Sequence, residues 1–186
     1  MEMHLPCLQL GGRLNERISK LRMLRKISLC SNSFNETIPS LFSKCSLLRS
    51  VLLRDDLFSG NLPPKITNLT SLQILKVAQN HISDNIPSKL PINLKSLGLS
   101  SNAFSSEIPS FIVSISHVQL INLSYNQFSS EPQGASAATV PLGGPQPHQR
   151  NASFGACQLL YAFASEHGGN VLTGVVPLAI SALPRL

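Results

Sequence analysis

Apolar residues recur along the chain in short alternating runs at a nearly constant spacing. In one unit, Leu97-Gly98-Leu99 is followed three residues later by a polar landmark residue, Asn102. The landmarks are Asn32, Asp56, Asn80, Asn102 and Asn126, with one more, Asn170, in a partial unit at the end. The first five are 24, 24, 22 and 24 residues apart. Because strand side chains alternate between two faces, each run predicts a short strand with one buried face.

Further columns keep the same register. Two residues past the landmarks stand Phe34, Phe58, Ile82, Phe104 and Phe128. An aliphatic residue and a proline follow, as in Ile38-Pro39 and Ile108-Pro109, and a half unit with Leu8 at the landmark position precedes the first full unit. We expect the Phe column to stack along the interior and each landmark to hydrogen-bond the backbone of a buried turn. The landmarks are therefore predicted to form a structural ladder.

This pattern is identified as the leucine-rich repeat, L-x-x-L-x-L-x-x-N-x-L. Residues 32–39 and 56–63 resemble its plant-specific form, N-x-x-S-G-x-I-P, found in the ectodomains of plant receptor-like serine/threonine kinases and receptor-like proteins. The resemblance implies an α/β leucine-rich repeat solenoid. Such a right-handed superhelix has short parallel strands on its concave face and 3₁₀ turns and short strands on its convex face.

The glycine of the plant-specific repeat is kept only at Gly60 and Gly174. The residues that replace it are Glu36, Asp84, Ser106 and Ser130. Since glycine adopts positive φ without steric cost, we expect the convex turns at these four positions to be strained.

The register fails after the fifth landmark, where Pro132 follows Asn126 by six residues instead of seven. We therefore divide the chain into a solenoid of a half unit and about five repeats (5–131), an irregular segment (132–169) and a partial repeat (170–186). The irregular segment is rich in Ala, Gly, Pro and Gln and is predicted to be disordered or loosely packed. It is interpreted either as an island loop, as in some plant receptors, or as a repeat read out of frame, which the gene sequence would decide.

Composition and motifs exclude several classes of protein. Charged residues make up only 13% of the chain and the net charge is +6, without a dense basic run or an interleaved aromatic platform, so nucleic-acid binding is not predicted. The four cysteines are too dispersed for a metal site, and phosphate-binding and kinase motifs are missing. The histidines are scattered, and His81 and His117 are interpreted as surface residues. We therefore predict neither an enzyme nor a bound cofactor.

Binding is the function that a solenoid offers, because residues flanking the strands project onto the concave face. The candidate binding face comprises Arg25, Arg49, Arg54, Gln73, Lys76, Lys95 and Gln119. Arg25 and Arg49 occupy one column of neighbouring coils, with Arg54 nearby, and this basic patch suits an acidic ligand. An ordinary solvated face is an equally good interpretation of the same residues.

The resemblance implies a non-catalytic protein- or peptide-interaction module, a fragment of an extracellular ligand-sensing region with a protein or peptide ligand and a co-receptor as partners. The alternatives are a soluble inhibitor resembling the polygalacturonase inhibitors, and a non-functional product of a decayed gene. The resembled family lies at the extracellular face of the plasma membrane. The chain itself shows neither a signal peptide nor an apolar run of ~18 residues, so its own location is left open.

Four N-x-[ST] sequons would be glycosylation sites in a secreted protein. Asn35, Asn68 and Asn151 are the candidates, whereas a glycan on Asn122 would block the concave face. Because coils contact only their neighbours, we also expect a solenoid without caps to be marginally stable.

Overall fold

A computed structural model describes residues 1–109, 111, 112, 115 and 117–129 of the chain. The predicted irregular segment 132–169 and the partial repeat 170–186 lie outside these residues. Outside the described residues also lie four residues singled out above, which are Ser130, Asn151, Asn170 and Gly174.

Twelve short strands and three 3₁₀ helices alternate along the described part of the chain. The strands are β1 (Glu2–His4), β2 (Gly11–Arg13), β3 (Lys26–Ser28), β4 (Ser33–Asn35), β5 (Ser50–Leu52), β6 (Ser59–Asn61), β7 (Ile74–Lys76), β8 (His81–Asp84), β9 (Ser96–Gly98), β10 (Ala103–Glu107), β11 (Leu120–Asn122) and β12 (Gln127–Ser129). The 3₁₀ helices are Glu16–Lys20, Ser40–Lys44 and Pro64–Asn68.

The odd-numbered strands form one parallel sheet of six strands, hydrogen-bonded in chain order. Each residue pairs with the one a repeat later, so that Val51 lies between Ile27 and Leu75. The even-numbered strands form the second side of the solenoid, with β2 paired to β4 and with β6, β8, β10 and β12 in one parallel sheet. The predicted solenoid is confirmed, and its first strand begins at Glu2, ahead of the predicted limit at residue 5.

Proline determines where two of the 3₁₀ helices begin. Pro39 and Pro63 occupy the N-cap positions of the second and third, where their fixed φ of −61° and −57° turns the chain out of the strand. In the first coil, Asn15 stands at the proline position and its side chain accepts a hydrogen bond from the Arg17 backbone N–H at 2.8 Å. The N-cap residue thus differs between coils, but the turn lies at the same position of the repeat.

The core lies between the two sheets and is built from stacked columns of aliphatic and aromatic side chains. Phe34 stacks on Phe58, and Phe104 on Phe128, each pair with ring centroids 6.2 Å apart. Ile82 separates the two pairs and is itself fully buried. The expected aromatic column is therefore present as two stacks rather than one.

Two columns of residues hold left-handed backbone conformations. At the predicted convex turns, φ is 64° at Glu36, 66° at Asp84 and 67° at Ser106, close to the 68° at Gly60. The second column was not predicted and comprises the residues just before each landmark, which are Cys7, Ser31, Asp55, Gln79, Ser101 and Tyr125. Both columns tighten turns at the cost of backbone strain, because only glycine adopts this region freely.

Candidate functional site

The landmark side chains lie in the turns between adjacent coils. The Asn80 Oδ1 accepts a hydrogen bond from the Phe58 N–H at 3.0 Å. Its Nδ2 donates to the carbonyl oxygens of Leu53, Val77 and Ala78 at 2.7, 3.1 and 3.2 Å. Asn102 and Asn126 make the same set of contacts in their own turns. Each amide thus bonds backbone groups of two coils and fixes their separation.

Asp56 differs from the other landmarks because a carboxylate has no N–H to donate. Its Oδ1 accepts from the Phe34 N–H at 3.1 Å, whereas its Oδ2 is buried and has no hydrogen-bond partner. The side chain is 6% exposed. Burial raises the pKa of Asp56 to about 6; the backbone N–H groups of Phe34 and Asn32 act to lower it, and Asp55 raises it further.

One column of the candidate binding face is held by a ladder of backbone hydrogen bonds. The Arg49 N–H donates to the Arg25 carbonyl at 2.7 Å, and the Gln73 N–H to the Arg49 carbonyl at 2.9 Å. Lys95 and Gln119 continue the ladder, with N···O distances of 2.8 Å at both steps. Because parallel strands are ~4.8 Å apart, the structure places these five residues in a row with a fixed step.

Three residues of the candidate face line one open depression of about 400 Å³. Arg49, Gln73 and Lys95 meet there with Ser71, Asn93 and His117. The last three were not predicted, since the column nine residues before the landmarks varies in type and carries no motif. All three stand at the same offset from a landmark, and this shared position could have indicated them.

The remaining predicted residues lie on the strands or further along the row. Arg54 follows β5 and is exposed, and Lys76 ends β7 and is half-buried. A Cβ added to Gly98 would lie 3.4 Å from the Lys76 Cγ, so the lysine stem rests against the glycine of the next strand. This contact holds the Lys76 side chain across the sheet.

The cations of this face are not neutralised by neighbouring carboxylates. In the described part of the chain, none of Arg25, Arg49, Arg54, Lys76 and Lys95 forms an ion pair. The pair found there joins Arg13 Nε to Glu36 Oε2 at 3.9 Å, on the second side of the solenoid. Three acidic residues, Glu36, Asp84 and Glu107, lie on that side, in the turn after β4 and at the ends of β8 and β10. These three carboxylates are thus too far along the coil to pair with the five cations of the candidate face.

The described part of the chain shows no arrangement typical of an active site or metal centre. Within it, no group of three or more His, Cys, Asp or Glu side chains could hold a metal ion. Cys7, Cys30 and Cys45 are free thiols, and burial raises the pKa of Cys45. No helix among the described residues is long and apolar enough to cross a bilayer.

The sequons differ in accessibility. Asn35 ends β4 and Asn68 ends the third 3₁₀ helix, and both are exposed. The Asn122 Oδ1, by contrast, accepts hydrogen bonds from the Ser124 hydroxyl at 2.7 Å and from its N–H at 3.2 Å. Asn122 is half-buried in the concave sheet.

Comparison with known proteins identifies the repeats and the fold. The Leucine Rich Repeat family model matches residues 23–45 and 93–115. The ectodomain of the Arabidopsis thaliana receptor kinase GASSHO1/SCHENGEN3, solved with CASPARIAN STRIP INTEGRITY FACTOR 2, is 29% identical with a TM-score of 0.64, and the match covers 67% of this chain and 15% of that one.

Two further solved structures are similar. The Arabidopsis receptor kinase HAESA, in complex with the peptide hormone IDA and the co-receptor SERK1, is 27% identical with a TM-score of 0.65, over 68% of this chain and 22% of HAESA. The plant peptide hormone receptor RGFR1, in complex with RGF2, is 30% identical with a TM-score of 0.63, over 65% of this chain and 20% of RGFR1. The match thus spans between 15% and 22% of these three chains.

Proposed function

Because the family model matches leucine-rich repeats in the chain and its fold is shared with plant receptor kinase ectodomains, we propose that it is a non-catalytic interaction module. It binds an extended peptide or a protein surface on its concave face. The solved relatives support a ligand of this kind, since they are described in complex with peptide hormones and, for HAESA, with a co-receptor. The comparisons do not favour a soluble inhibitor or a decayed gene product.

The observation that carries the proposal is the unpaired positive charge along the concave face. Arg25 and Arg49 stand one coil apart, and Lys95 lies two coils beyond Arg49 across Gln73. In the depression between Arg49 and Lys95, the side chains of Gln73 and Asn93 add hydrogen-bonding groups. A guanidinium binds a carboxylate through two parallel N–H···O bonds, so a ligand with acidic side chains fits this row.

The apolar part of the face complements the charges. Leu52 and Ile74, on the neighbouring strands β5 and β7, are half-buried and open toward the concave side, next to Lys76. A ligand that combines acidic and aliphatic side chains in an extended conformation would use both features. Aliphatic contact supplies affinity, and the charges supply orientation and association rate.

The test is a selection from a random peptide library against the full chain, followed by calorimetry with the selected peptides. Two variants remove the same charge from opposite sides: Arg49→Ala/Lys95→Ala on the concave face, and Lys65→Ala/Lys89→Ala, both exposed, on the far side. We expect enrichment of acidic peptides and at least a tenfold loss of affinity in the first variant only. Equal losses in both variants, or selected peptides without acidic residues, would contradict the proposal.

A further inference from the structure

The carbonyl oxygens beneath the landmark ladder normally accept two amide hydrogen bonds. The Val77 oxygen accepts from Asn80 at 3.1 Å and from Asn102 at 2.9 Å. The Leu99 oxygen accepts from Asn102 at 3.0 Å and from Asn126 at 3.1 Å. Both lone pairs of each carbonyl are therefore used, as buried backbone groups require.

Next to Asp56, two carbonyl oxygens lack this second hydrogen bond. The Leu29 oxygen accepts from the Asn32 side chain, and the Leu53 oxygen from Asn80. By the repeat register, the second hydrogen bond to each of these carbonyls would come from the side chain of residue 56. A carboxylate at that position has no N–H to donate. The Asp56 Oδ2 stands in place of that amide nitrogen and is buried without a partner in the described structure. One proton on Oδ2 would turn this oxygen into a donor and remove the repulsion between lone pairs.

The surroundings of Asp56 offer little else to compensate its charge. The charged or titratable groups of its own turn are Arg54 and Asp55, both exposed, and the adjacent turns contribute Cys30 and His81. Asp56 forms no ion pair with any of the described cations. Burial is the main cause that raises its pKa to about 6, from 3.8 for an ordinary aspartate.

We propose that Asp56 is a proton-binding site inside the solenoid, and that taking up the proton tightens the junction between its own coil and the preceding coil, whose landmark is Asn32. This proton site would regulate the fold whichever ligand binds. The junction it controls carries the Phe34–Phe58 stack and adjoins Arg49 and Arg54 of the candidate face. Mild acidity would therefore strengthen the part of the molecule that presents the basic patch.

The direction of the pH dependence follows from linkage. A carboxyl with a folded-state pKa of about 6 and an unfolded value of 3.8 binds its proton more tightly in the folded chain. Its stabilising contribution is complete below pH 3.8, decreases as the pH rises toward 6, and is lost above it. Between pH 4 and pH 7 this corresponds to a fall of about 50-fold in the folding equilibrium constant.

The first test is urea unfolding of the full chain at pH 4, 5, 6 and 7, compared with Asp56→Asn. Asparagine occupies this position in four other described coils, so the variant is compatible with the fold. We expect the wild type to lose about 50-fold in folding constant relative to Asp56→Asn across this range. Asp55→Asn, which removes an exposed carboxylate next door, should retain at least half of the wild-type dependence. Identical pH profiles for wild type and Asp56→Asn would overturn the proposal.

A second test observes the proton directly. In ¹³C NMR of the full chain, the carboxyl resonance missing from Asp56→Asn should titrate with a midpoint near 6, and a midpoint near 4 would overturn the proposal. Hydrogen exchange of the Phe34 amide, which donates to Asp56 Oδ1, should become less protected from pH 5 to pH 7 after correction for the intrinsic rate. Unchanged protection at this amide would also count against the proposal.

Discussion

Replacing Asn80 by alanine is expected to destabilise the chain by about 4 kcal/mol. The substitution removes four hydrogen bonds, but their loss is not equal. The Val77 carbonyl keeps its bond from Asn102, and the Ala78 carbonyl keeps its bond from the Asp55 N–H at 2.9 Å. The Phe58 N–H and the Leu53 carbonyl lose their described side-chain partner. Leaving two buried backbone groups unpaired costs about 1–3 kcal/mol each.

Asp56→Ala is the matched comparison, at the same position of the preceding coil. It leaves the Phe34 N–H unpaired, at a cost of about 1–3 kcal/mol. It also removes a carboxyl whose pKa of about 6, against 3.8 unfolded, corresponds to a penalty of about 3 kcal/mol at neutral pH. The two effects offset each other, so this variant should be within about 1 kcal/mol of the wild type at pH 7.

The assay is urea denaturation at pH 7, followed by far-ultraviolet circular dichroism because the chain contains no tryptophan. We expect the free energies of unfolding of the two alanine variants to differ by about 4 kcal/mol, and this difference is more informative than either value alone. If Asn80→Ala costs less than 1 kcal/mol, or no more than Asp56→Ala, the landmark amides do not hold the coils together as described.

The other predictions concern the convex turns and the sequons. Gly60→Ala should destabilise by about 1–3 kcal/mol in the same assay, because φ is 68° and the new Cβ would lie 2.8 Å from Thr37 Cγ2; Thr37→Ala should recover part of that loss, and no recovery would contradict the close contact. Ser106→Gly, at φ 67°, should raise the urea concentration at the unfolding midpoint, with a gain of about 1 kcal/mol in the free energy of unfolding. A lower midpoint would refute the inferred strain. When the protein is expressed in a secretory host, endoglycosidase treatment should shift its band on a denaturing gel. Asn35→Gln and Asn68→Gln should each remove one step of that shift, whereas Asn122→Gln should remove none. A step lost in Asn122→Gln would contradict the assignment.

The sequence predicted the columns of the solenoid because their physics is local. A buried apolar residue at a fixed offset, such as Leu75, and a replaced glycine, such as Asp84 with φ 66°, follow directly from the repeat. The first strand lies ahead of the predicted limit at residue 5 because Met3, and not a leucine, pairs there with Ile27 of the next coil. The second left-handed column could not be read from side chains as different as Asp55 and Tyr125, since the turn, not the residue, imposes that conformation.

The candidate binding face could be predicted only in part. The row through Arg49 and Lys95 followed from the register, because a fixed offset from the landmark places residues on one face. The contribution of His117 to the depression and the contact of Lys76 with Gly98 depend on side-chain directions in neighbouring coils. Likewise, Asp56 was predicted as a member of the ladder, but its unpartnered oxygen is visible only when the donors of three coils are counted.

Hydrogen exchange of the full chain, measured with and without a selected acidic peptide, shows where the ligand binds. We expect slowed exchange at β5, β7 and β9 and in the segments that lead into them, where Arg49, Gln73 and Lys95 line the depression. The competing surface is the groove of about 1010 Å³ on the opposite side, lined by Asp84 and Glu107. Protection of β6, β8 and β10 with an unchanged concave sheet would contradict the account.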